Sequence, residues 1–211
     1  MTSRGIAAFS RLAMESLATP RIGWIAFKAM RRHGAIQKPV EFGRVLRYLG
    51  QHCLRSVMEI GTRRGGSLYA FSQLAQSNAH IVSLDWHTPG TLQPDLLKQL
   101  VRPKQELTCI QGNSHEAAIK EKVKTVVREP LDLLFIDGDH RYEGVRDDFV
   151  SFSPLVKPGG IVLFHDIVEN PQHPEYGVER LWRELEGKKL EFVDRIDPSP
   201  GAGLGILVMP K

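Results

Sequence analysis

The sequence predicts an α/β protein built on a seven-stranded, mostly parallel sheet with helices on both faces. Two observations predict this fold class. Five apolar, strand-like runs recur between residues 56 and 164, and segments with helical periodicity separate most of them. Two further runs near the C-terminus are separated by a turn alone. Strands that alternate with helices run parallel with right-handed crossovers, whereas two strands joined by a turn form an antiparallel hairpin.

The elements follow one another in the order of a doubly wound sheet. The parallel strands are predicted at Ser56–Ile60, His80–Leu84, Leu107–Gln111, Leu131–Ile136 and Gly160–Phe164. Helical patterns between the strands begin near Ser67, Leu92, Ser114 and Tyr142. A helix near residues 178–186 then leads to the hairpin, whose strands are predicted at Leu190–Ile196 and Gly203–Met209.

Residues 1–52 are predicted to form a basic helical extension in front of a sheet domain that spans residues 53–211. Residues 1–57 contain ten Lys or Arg and two acidic residues, although the net charge of the chain is only +4. The segment Arg21–His33 places its apolar residues on one helical face, and such a helix could lie on an anionic membrane or on RNA. We favour packing of this face against the sheet domain or a second copy of the chain, which leaves a homo-oligomer open.

A break in the helical pattern lies at Gly34–Pro39, before a second helix predicted over Val40–Tyr48. Glycine and proline interrupt helices, so a loop is expected there. We expect the extension to act as a lid beside the ligand site, with Gln37 within reach of a ligand.

Cysteine content and hydropathy bear on the compartment. Cys53 and Cys109 are the only cysteines, and their spacing suggests neither a disulfide framework nor a metal knuckle. No segment has the length of a membrane span, and no leader pattern is recognisable. We therefore expect a cytoplasmic protein without a transmembrane segment.

A glycine turn after the first strand indicates a nucleoside-bearing ligand. The strand carries Glu59 near its end, and Gly61, Gly65 and Gly66 follow before an apolar helix begins. Residues without a Cβ atom allow a sharp turn and a close backbone approach. The spacing matches neither the dinucleotide fingerprint nor the phosphate loop, which needs a lysine after its last glycine. No pyrophosphate cradle is predicted.

Ionisable residues follow the fourth and fifth strands. Asp137, Asp139 and His140 come after the fourth strand, and His165 and Asp166 end the fifth. Neighbouring parallel strands bring their carboxyl ends together, so these residues are expected to face one site. Carboxylate oxygens suit a magnesium ion. Asp139 could instead cap the following helix, but capping explains only one of these residues, and we favour a metal site.

These motifs resemble those of class I S-adenosylmethionine-dependent methyltransferases, whose sheet is Rossmann-like, and the resemblance spans about residues 53–211. Glu59-x-Gly61-x-x-x-Gly65 with Asp85 after the next strand resembles motif I and the acidic ribose clamp. Asp-Gly-Asp-His-x-Tyr-Glu at 137–143 and Pro-Gly-Gly-x-x-x-x-His-Asp at 158–166 resemble the magnesium-dependent macrolide sugar O-methyltransferase and cephalosporin hydroxylase-like group.

The resemblance implies a role for each candidate residue. The residues that would bind S-adenosylmethionine are Glu59, Gly61, Gly65, Ser67, Asp85, Trp86, Asn113, Ser114 and Asp137. The residues that would hold Mg²⁺ are Asp137, His165 and Asp166. His140 would be the general base, because its ordinary pKa lies near neutrality, with Asp139 as the alternative. The metal site departs from the pattern of the magnesium-dependent group in two ways. His165 stands where the group has an acidic ligand, and histidine is a poor magnesium ligand. Ile167 follows Asp166 where some relatives have a further ligand.

The expected reaction is O-methylation of a small-molecule hydroxyl with help from the metal. The chain lacks the Asp/Asn-Pro-Pro-Tyr/Phe tetrapeptide that orients an exocyclic amine for N-methylation, and neither cysteine is followed by proline as in cytosine-5 enzymes. Both observations disfavour nucleic acid as the acceptor. Three alternatives stay open: a nicotinamide-dependent oxidoreductase, a non-catalytic module and an RNA methyltransferase. The other histidines are expected in surface or packing roles, namely His33, His52, His80, His87, His115 and His173.

Overall fold

The structure, a computed structural model, describes residues 19–86, 92–196 and 201–211. One sheet contains the seven strands β1 (Ser56–Ile60), β2 (His80–Asp85), β3 (Glu106–Gln111), β4 (Leu131–Ile136), β5 (Val156–His165), β6 (Lys188–Phe192) and β7 (Leu204–Val208). Their order is β3-β2-β1-β4-β5-β7-β6. The first five are mutually parallel where they pair, and β7 pairs antiparallel with both β5 and β6. The predicted fold class is thereby confirmed.

Helices connect the strands and cover both faces of the sheet. They are α1 (Pro20–Arg32), α2 (Pro39–Leu49), α3 (Gly66–Leu74), α4 (Pro94–Lys98), α5 (Ala117–Val126), α6 (Tyr142–Phe152) and α7 (Val178–Glu184). Successive strand residues alternate between the two layers, because side chains of a strand point to opposite faces. Val57 joins the layer under α1, α2 and α3, whereas Met58 joins the layer under α5, α6 and α7. In the part of the chain that the structure describes, no helix is both long and apolar enough to span a membrane.

Two strand boundaries differ from the prediction by four residues, and the others by two at most. β5 begins at Val156, ahead of the predicted Gly160, because Val156 still pairs with Leu131 across a register irregularity. β6 ends at Phe192 instead of continuing to Ile196. The reason is that the backbone N–H of Asp194 donates to Glu41 at 2.7 Å, so it is not available for the ladder. The turn expected at 197–201 lies largely outside the described residues.

The N-terminal extension packs on the sheet domain. Ile25, Ala26 and Ala29 of α1 are buried in the same core layer as Phe71 of α3. This arrangement agrees with the packing alternative, in which the apolar face of α1 is covered by the sheet domain. On α2, the carboxylate of Glu41 is buried and bonds to two segments near the C-terminus.

Glu41 accepts hydrogen bonds from two distant backbone groups. Its Oε1 accepts from the N–H of Asp194 at 2.7 Å, and its Oε2 accepts from the N–H of Gly203 at 3.0 Å. Burial raises the pKa of Glu41, and these two donors oppose the shift. The carboxylate thus ties α2 to the segments that flank the end of β6 and the start of β7.

Candidate active site

A cavity of about 540 Å³ opens at the carboxyl ends of β1, β2, β3 and β4. This edge is where ligands bind in open α/β sheets. Of the residues singled out from the sequence, those that line the cavity are Gly61, Ser67, Asp85, Trp86, Asn113, Ser114, Asp137, Asp139 and His140. Glu59, Gly65, His165 and Asp166 are not among the residues that line it. The loop that precedes α2 closes one side of the cavity with Gly34, Ala35, Ile36 and Gln37.

The glycines of the turn are needed for contacts within the chain. A Cβ atom at Gly61 would lie 1.9 Å from the carbonyl oxygen of Asp137, and one at Gly66 would lie 2.2 Å from the backbone nitrogen of Ala35. Gly65 has a φ of +77°, and a Cβ atom there would meet the side chain of Leu100 at 2.4 Å. The glycines therefore let β4 and the extension approach the turn, which shapes the cavity from two sides.

Glu59 is a buried acid behind the glycine turn. It has no exposed surface, and neither carboxyl oxygen has a hydrogen-bond partner among the described residues. Burial raises the pKa of Glu59 to about 8, although the nearby hydroxyls of Ser67 and Thr62 oppose the shift. A positive charge in the cavity would favour the ionised form and lower this pKa.

Asp85 connects the end of β2 to the glycine turn. Its Oδ2 accepts a hydrogen bond from the backbone N–H of Arg63, a residue in the left-handed region with a φ of +47°. Trp86 follows at the rim of the cavity, where 65% of its surface is exposed. Asp85 therefore fixes the turn and borders the cavity at the same time.

The segment after β3 brings a histidine to the cavity that the sequence analysis did not single out for the site. His115 lines the cavity beside Asn113 and Ser114, and its expected surface or packing role stays a prediction. Its Nε2 lies 3.5 Å from Oδ1 of Asp148, a fully buried residue of α6. Burial raises the pKa of Asp148 to about 6, against the opposing effects of Ser114 and His115. No sequence signal links residue 115 with residue 148.

Two histidines and two aspartates meet where β4 and β5 end. Nδ1 of His140 lies 2.7 Å from Oδ2 of Asp166, and its Nε2 lies 3.4 Å from Oδ1 of Asp137. Nδ1 of His165 lies 3.2 Å from Oδ1 of Asp166 and 3.3 Å from Oδ1 of Asp137. The ring of Tyr176 covers His140 at a centroid distance of 4.7 Å. The expectation from the sequence that these four ionisable residues face one site is therefore confirmed.

The carboxylates change the protonation of this cluster. Burial alone would lower the pKa of His140, but Asp137 and Asp166 outweigh it and raise the pKa to about 10. The pKa of the buried His165 is also raised by the same two carboxylates against its desolvation. Burial would raise the pKa of Asp166, yet the two imidazoles hold it well below its usual range. His140 is therefore a cation at neutral pH in the unliganded protein.

The cluster does not fit a magnesium ion in this arrangement. Both oxygens of Asp166 face imidazole nitrogens, and Oδ1 of Asp137 lies between the same two rings. Within residues 19–86, 92–196 and 201–211, no three potential ligands converge as a metal ion requires. Magnesium prefers oxygen ligands and would compete with two imidazolium groups for these carboxylates.

Asp139 is engaged with its neighbour Arg141. The Arg141 guanidinium lies 2.5 Å from Oδ2 of Asp139, and the backbone N–H of Arg141 donates to Oδ1 at 3.0 Å. The Arg141 side chain holds the pKa of Asp139 below its usual range. Arg141 is the N-cap residue of α6, and Asp139 accepts from its backbone N–H just ahead of the first helical turn.

Gln37 reaches into the site from the extension. It is 3% exposed, and its Nε2 donates to Oδ2 of Asp137 at 3.2 Å. Its Oε1 has no hydrogen-bond partner among the described residues. The sequence placed Gln37 within reach of a ligand but gave no sign of the contact with Asp137.

The fold and the cavity define a class I methyltransferase, and comparisons with known proteins agree. The family described as "Methyltransferase domain" (Methyltransf_24) matches residues 58–167, just over half of the chain. The chain belongs to this methyltransferase family, which confirms the predicted class of S-adenosylmethionine-dependent enzymes. The family match begins within β1 and ends just after β5, so it leaves out the extension and the hairpin.

Two curated relatives share part of their sequence with the chain. Protein y4gI of Sinorhizobium fredii is 27% identical over 62% of this chain and 15% of its own length. Protein R132 of Acanthamoeba polyphaga mimivirus is 30% identical over 56% of this chain and 54% of its own length. The chain therefore spans about half or less of the relatives that it matches.

Solved structures share the fold at low sequence identity. The O-methyltransferase TomG from Streptomyces achromogenes, in complex with SAM, is 17% identical with a TM-score of 0.66, over 99% of this chain and 100% of TomG. The methyltransferase MycE of the mycinamycin pathway, in complex with Mg and SAH, is 18% identical with a TM-score of 0.56. This match covers 90% of the chain and 55% of MycE.

Proposed function

We propose that this protein transfers the methyl group of S-adenosylmethionine to a hydroxyl oxygen of a small molecule. The observation that carries the proposal is one cavity lined both by most of the predicted cofactor residues and by His140. TomG, an O-methyltransferase solved with SAM, and MycE, solved with SAH, support the choice of cofactor and reaction.

The order of the strands supports a proposed place in the cavity for each part of the cofactor. Asn113 and Ser114 follow β3 and would face the adenine, with Trp86 at the rim beside it. Asp85 ends β2 and would accept from the ribose hydroxyls. The turn after β1, with Ser67 at the start of α3, would hold the methionine part. The unpartnered oxygens of Glu59 behind this turn fit a cationic ligand, because a positive charge favours their ionised form.

The acceptor site is proposed beside Asp137 and His140. S-adenosylmethionine supplies a methyl group that its sulfonium already activates. The protein has to orient the acceptor oxygen and receive its proton. His140 is the residue proposed to receive it, because Arg141 keeps Asp139 a weak base. His140 must first be neutral, and a positive charge bound in the cavity would lower its pKa by repulsion.

Magnesium assistance through Asp137, His165 and Asp166 stays a prediction from the sequence, and MycE with Mg is the comparison that supports it. The arrangement of the four residues speaks against it, because the imidazoles hold the carboxylate oxygens. We therefore expect turnover to be the same in magnesium and in chelator. Activity that disappears in chelator and returns with magnesium would restore the metal hypothesis.

The first experiment is a calorimetric titration with S-adenosylmethionine and S-adenosylhomocysteine, with a nicotinamide dinucleotide as the negative control. Asp85→Ala should weaken binding of both ligands. Asp95→Ala is the matched control, because Asp95 is an exposed carboxylate that pairs with Lys98 outside the cavity. Binding of the nicotinamide dinucleotide instead would favour the oxidoreductase.

A panel of hydroxylated small molecules then tests the acceptor class. An acceptor is identified when S-adenosylmethionine is converted to S-adenosylhomocysteine in its presence. His140→Gln should retain cofactor binding and lose turnover. If no adenosyl ligand binds, the non-catalytic module becomes the better explanation. If RNA alone is methylated, the small-molecule assignment is wrong and the RNA methyltransferase is right.

A further inference from the structure

The amide of Gln37 has only one orientation that suits its surroundings. A carboxylate accepts hydrogen bonds and donates none, so the NH2 group of Gln37 must face Oδ2 of Asp137, as its 3.2 Å contact shows. The carbonyl oxygen must then point elsewhere. Gln37 lines the cavity and is 3% exposed, yet this oxygen has no partner among the described residues. A buried carbonyl without a donor is costly, which makes it a ready acceptor for a ligand.

The position of Gln37 decides which part of a ligand it meets. Its loop lies directly on the glycine turn, because the backbone nitrogen of Ala35 occupies the space beside Gly66. The side chain itself reaches Asp137 at the end of β4, next to β1 in the sheet. Gln37 is therefore placed between the turn proposed for the methionine part and the acceptor site, away from Asp85 and the segment after β3.

The acceptors left unsatisfied in this corner favour a cationic donor. Asp137 and Asp166 are paired with His140 and His165, which offset their charge. The two oxygens of Glu59, at the end of β1, lack hydrogen-bond partners among the described residues. The methionine part of the cofactor carries one ammonium group with three N–H donors. No other donor of the cofactor has a positive charge, and hydrogen bonds from charged donors are the stronger ones.

We infer that Gln37 is the residue through which the N-terminal extension recognises the α-ammonium group of S-adenosylmethionine. The inference rests on the proposed function. In this arrangement the NH2 group of Gln37 holds Asp137 while its carbonyl oxygen accepts from the ammonium group. Cofactor binding then depends on a residue that precedes the family domain at residues 58–167.

Two ligands that differ in the amino-acid part test the inference. S-adenosylhomocysteine has the ammonium group, whereas methylthioadenosine keeps the nucleoside and the thioether but lacks it. Gln37→Ala should raise the Kd for S-adenosylhomocysteine by about tenfold, the effect of losing one hydrogen bond to a charged group, and leave the Kd for methylthioadenosine unchanged. Gln51→Ala, an exposed glutamine of the same extension, should change neither.

The outcomes separate the inference from the proposed function. Wild-type protein that binds neither ligand removes the proposed function and the inference with it. Wild-type binding that Gln37→Ala leaves unchanged overturns the inference alone. An equal loss for both ligands, together with a lower Tm, shows a structural role and also overturns it. Gln37→Met keeps the length of the side chain without a carbonyl, so it repeats the test if Gln37→Ala does not fold.

Discussion

His140 Nδ1 lies 2.7 Å from Asp166 Oδ2, and this pair joins the carboxyl ends of two neighbouring parallel strands. Asp166 adopts a left-handed backbone with a φ of +59°, a conformation that is uncommon for a residue with a side chain. The contacts of its carboxylate with the two imidazoles stabilise Asp166 in this backbone conformation. The same pair makes His140 a much stronger base than an isolated histidine.

The rate of methyl transfer should rise with pH. A histidine accepts a proton only when it is neutral, and a pKa of about 10 leaves little neutral His140 at pH 7 in the free enzyme. The initial rate at low cofactor concentration should therefore increase up to about pH 10. Asp166→Asn removes one stabilising charge and should move the rise to lower pH. A flat profile between pH 7 and pH 10 would exclude His140 as the base.

The stability contributed by His140 should disappear in alkaline solution. Its pKa is raised from 6.5 in the unfolded chain to about 10 in the folded protein. The contribution is thus fully present below about pH 6.5 and is lost as pH rises through about 10. We expect the free energy of unfolding of wild type to exceed that of His140→Gln by on the order of 2 kcal/mol at pH 6 and by much less at pH 10. Denaturant titrations at both pH values measure the difference, and a constant gap would contradict the prediction.

Removal of the Glu41 carboxylate should destabilise the protein strongly. Glu41→Ala leaves the buried N–H groups of Asp194 and Gly203 without their acceptor. The expected loss is roughly 2–6 kcal/mol in the free energy of unfolding, since each of the two unsatisfied donors costs about 1–3 kcal/mol. Glu186→Ala is the control, because Glu186 is exposed. Equal stability of the two variants would show that the buried carboxylate does not hold the hairpin.

A side chain at residue 66 should disturb cofactor binding. The Cβ atom of Gly66→Ala would lie 2.2 Å from the backbone nitrogen of Ala35, so the loop has to move. We expect a loss of about 1–3 kcal/mol in stability and weaker binding of S-adenosylhomocysteine. Ala35→Gly should not rescue the variant, because the closest atom belongs to the backbone. Calorimetry and thermal unfolding of both variants check this, and unchanged binding would argue against a lid at this position.

The fold could be predicted because it depends on local patterns. Apolar runs and helical periodicity located the parallel strands, and strand adjacency brought His140 and Asp166 into one site. The pKa of His140 could not be predicted, because it depends on two carboxylates that only the folded chain places beside the ring. The same limit applies to His115, whose partner Asp148 comes from a distant helix.

The glycine turn shows a second limit of sequence reasoning. The motif located the cavity correctly, but the reason for Gly66 is the backbone of Ala35, and nothing in the local sequence announces that neighbour. The end of β6 was misplaced for a similar reason, because Glu41 takes the N–H of Asp194 from the ladder. Contacts between distant segments therefore account for the errors.

The bonds of Glu41 also set the order in which the molecule can be completed during synthesis. Its two partners follow it by 153 and 162 residues. After α2 has been synthesised, the ribosome must still translate nearly the whole sheet before Asp194 and Gly203 are available to bond with Glu41. The loop with Gln37 is adjacent to α2, so we expect a nascent chain to reach full affinity for its cofactor only after the C-terminal hairpin has emerged and bound Glu41.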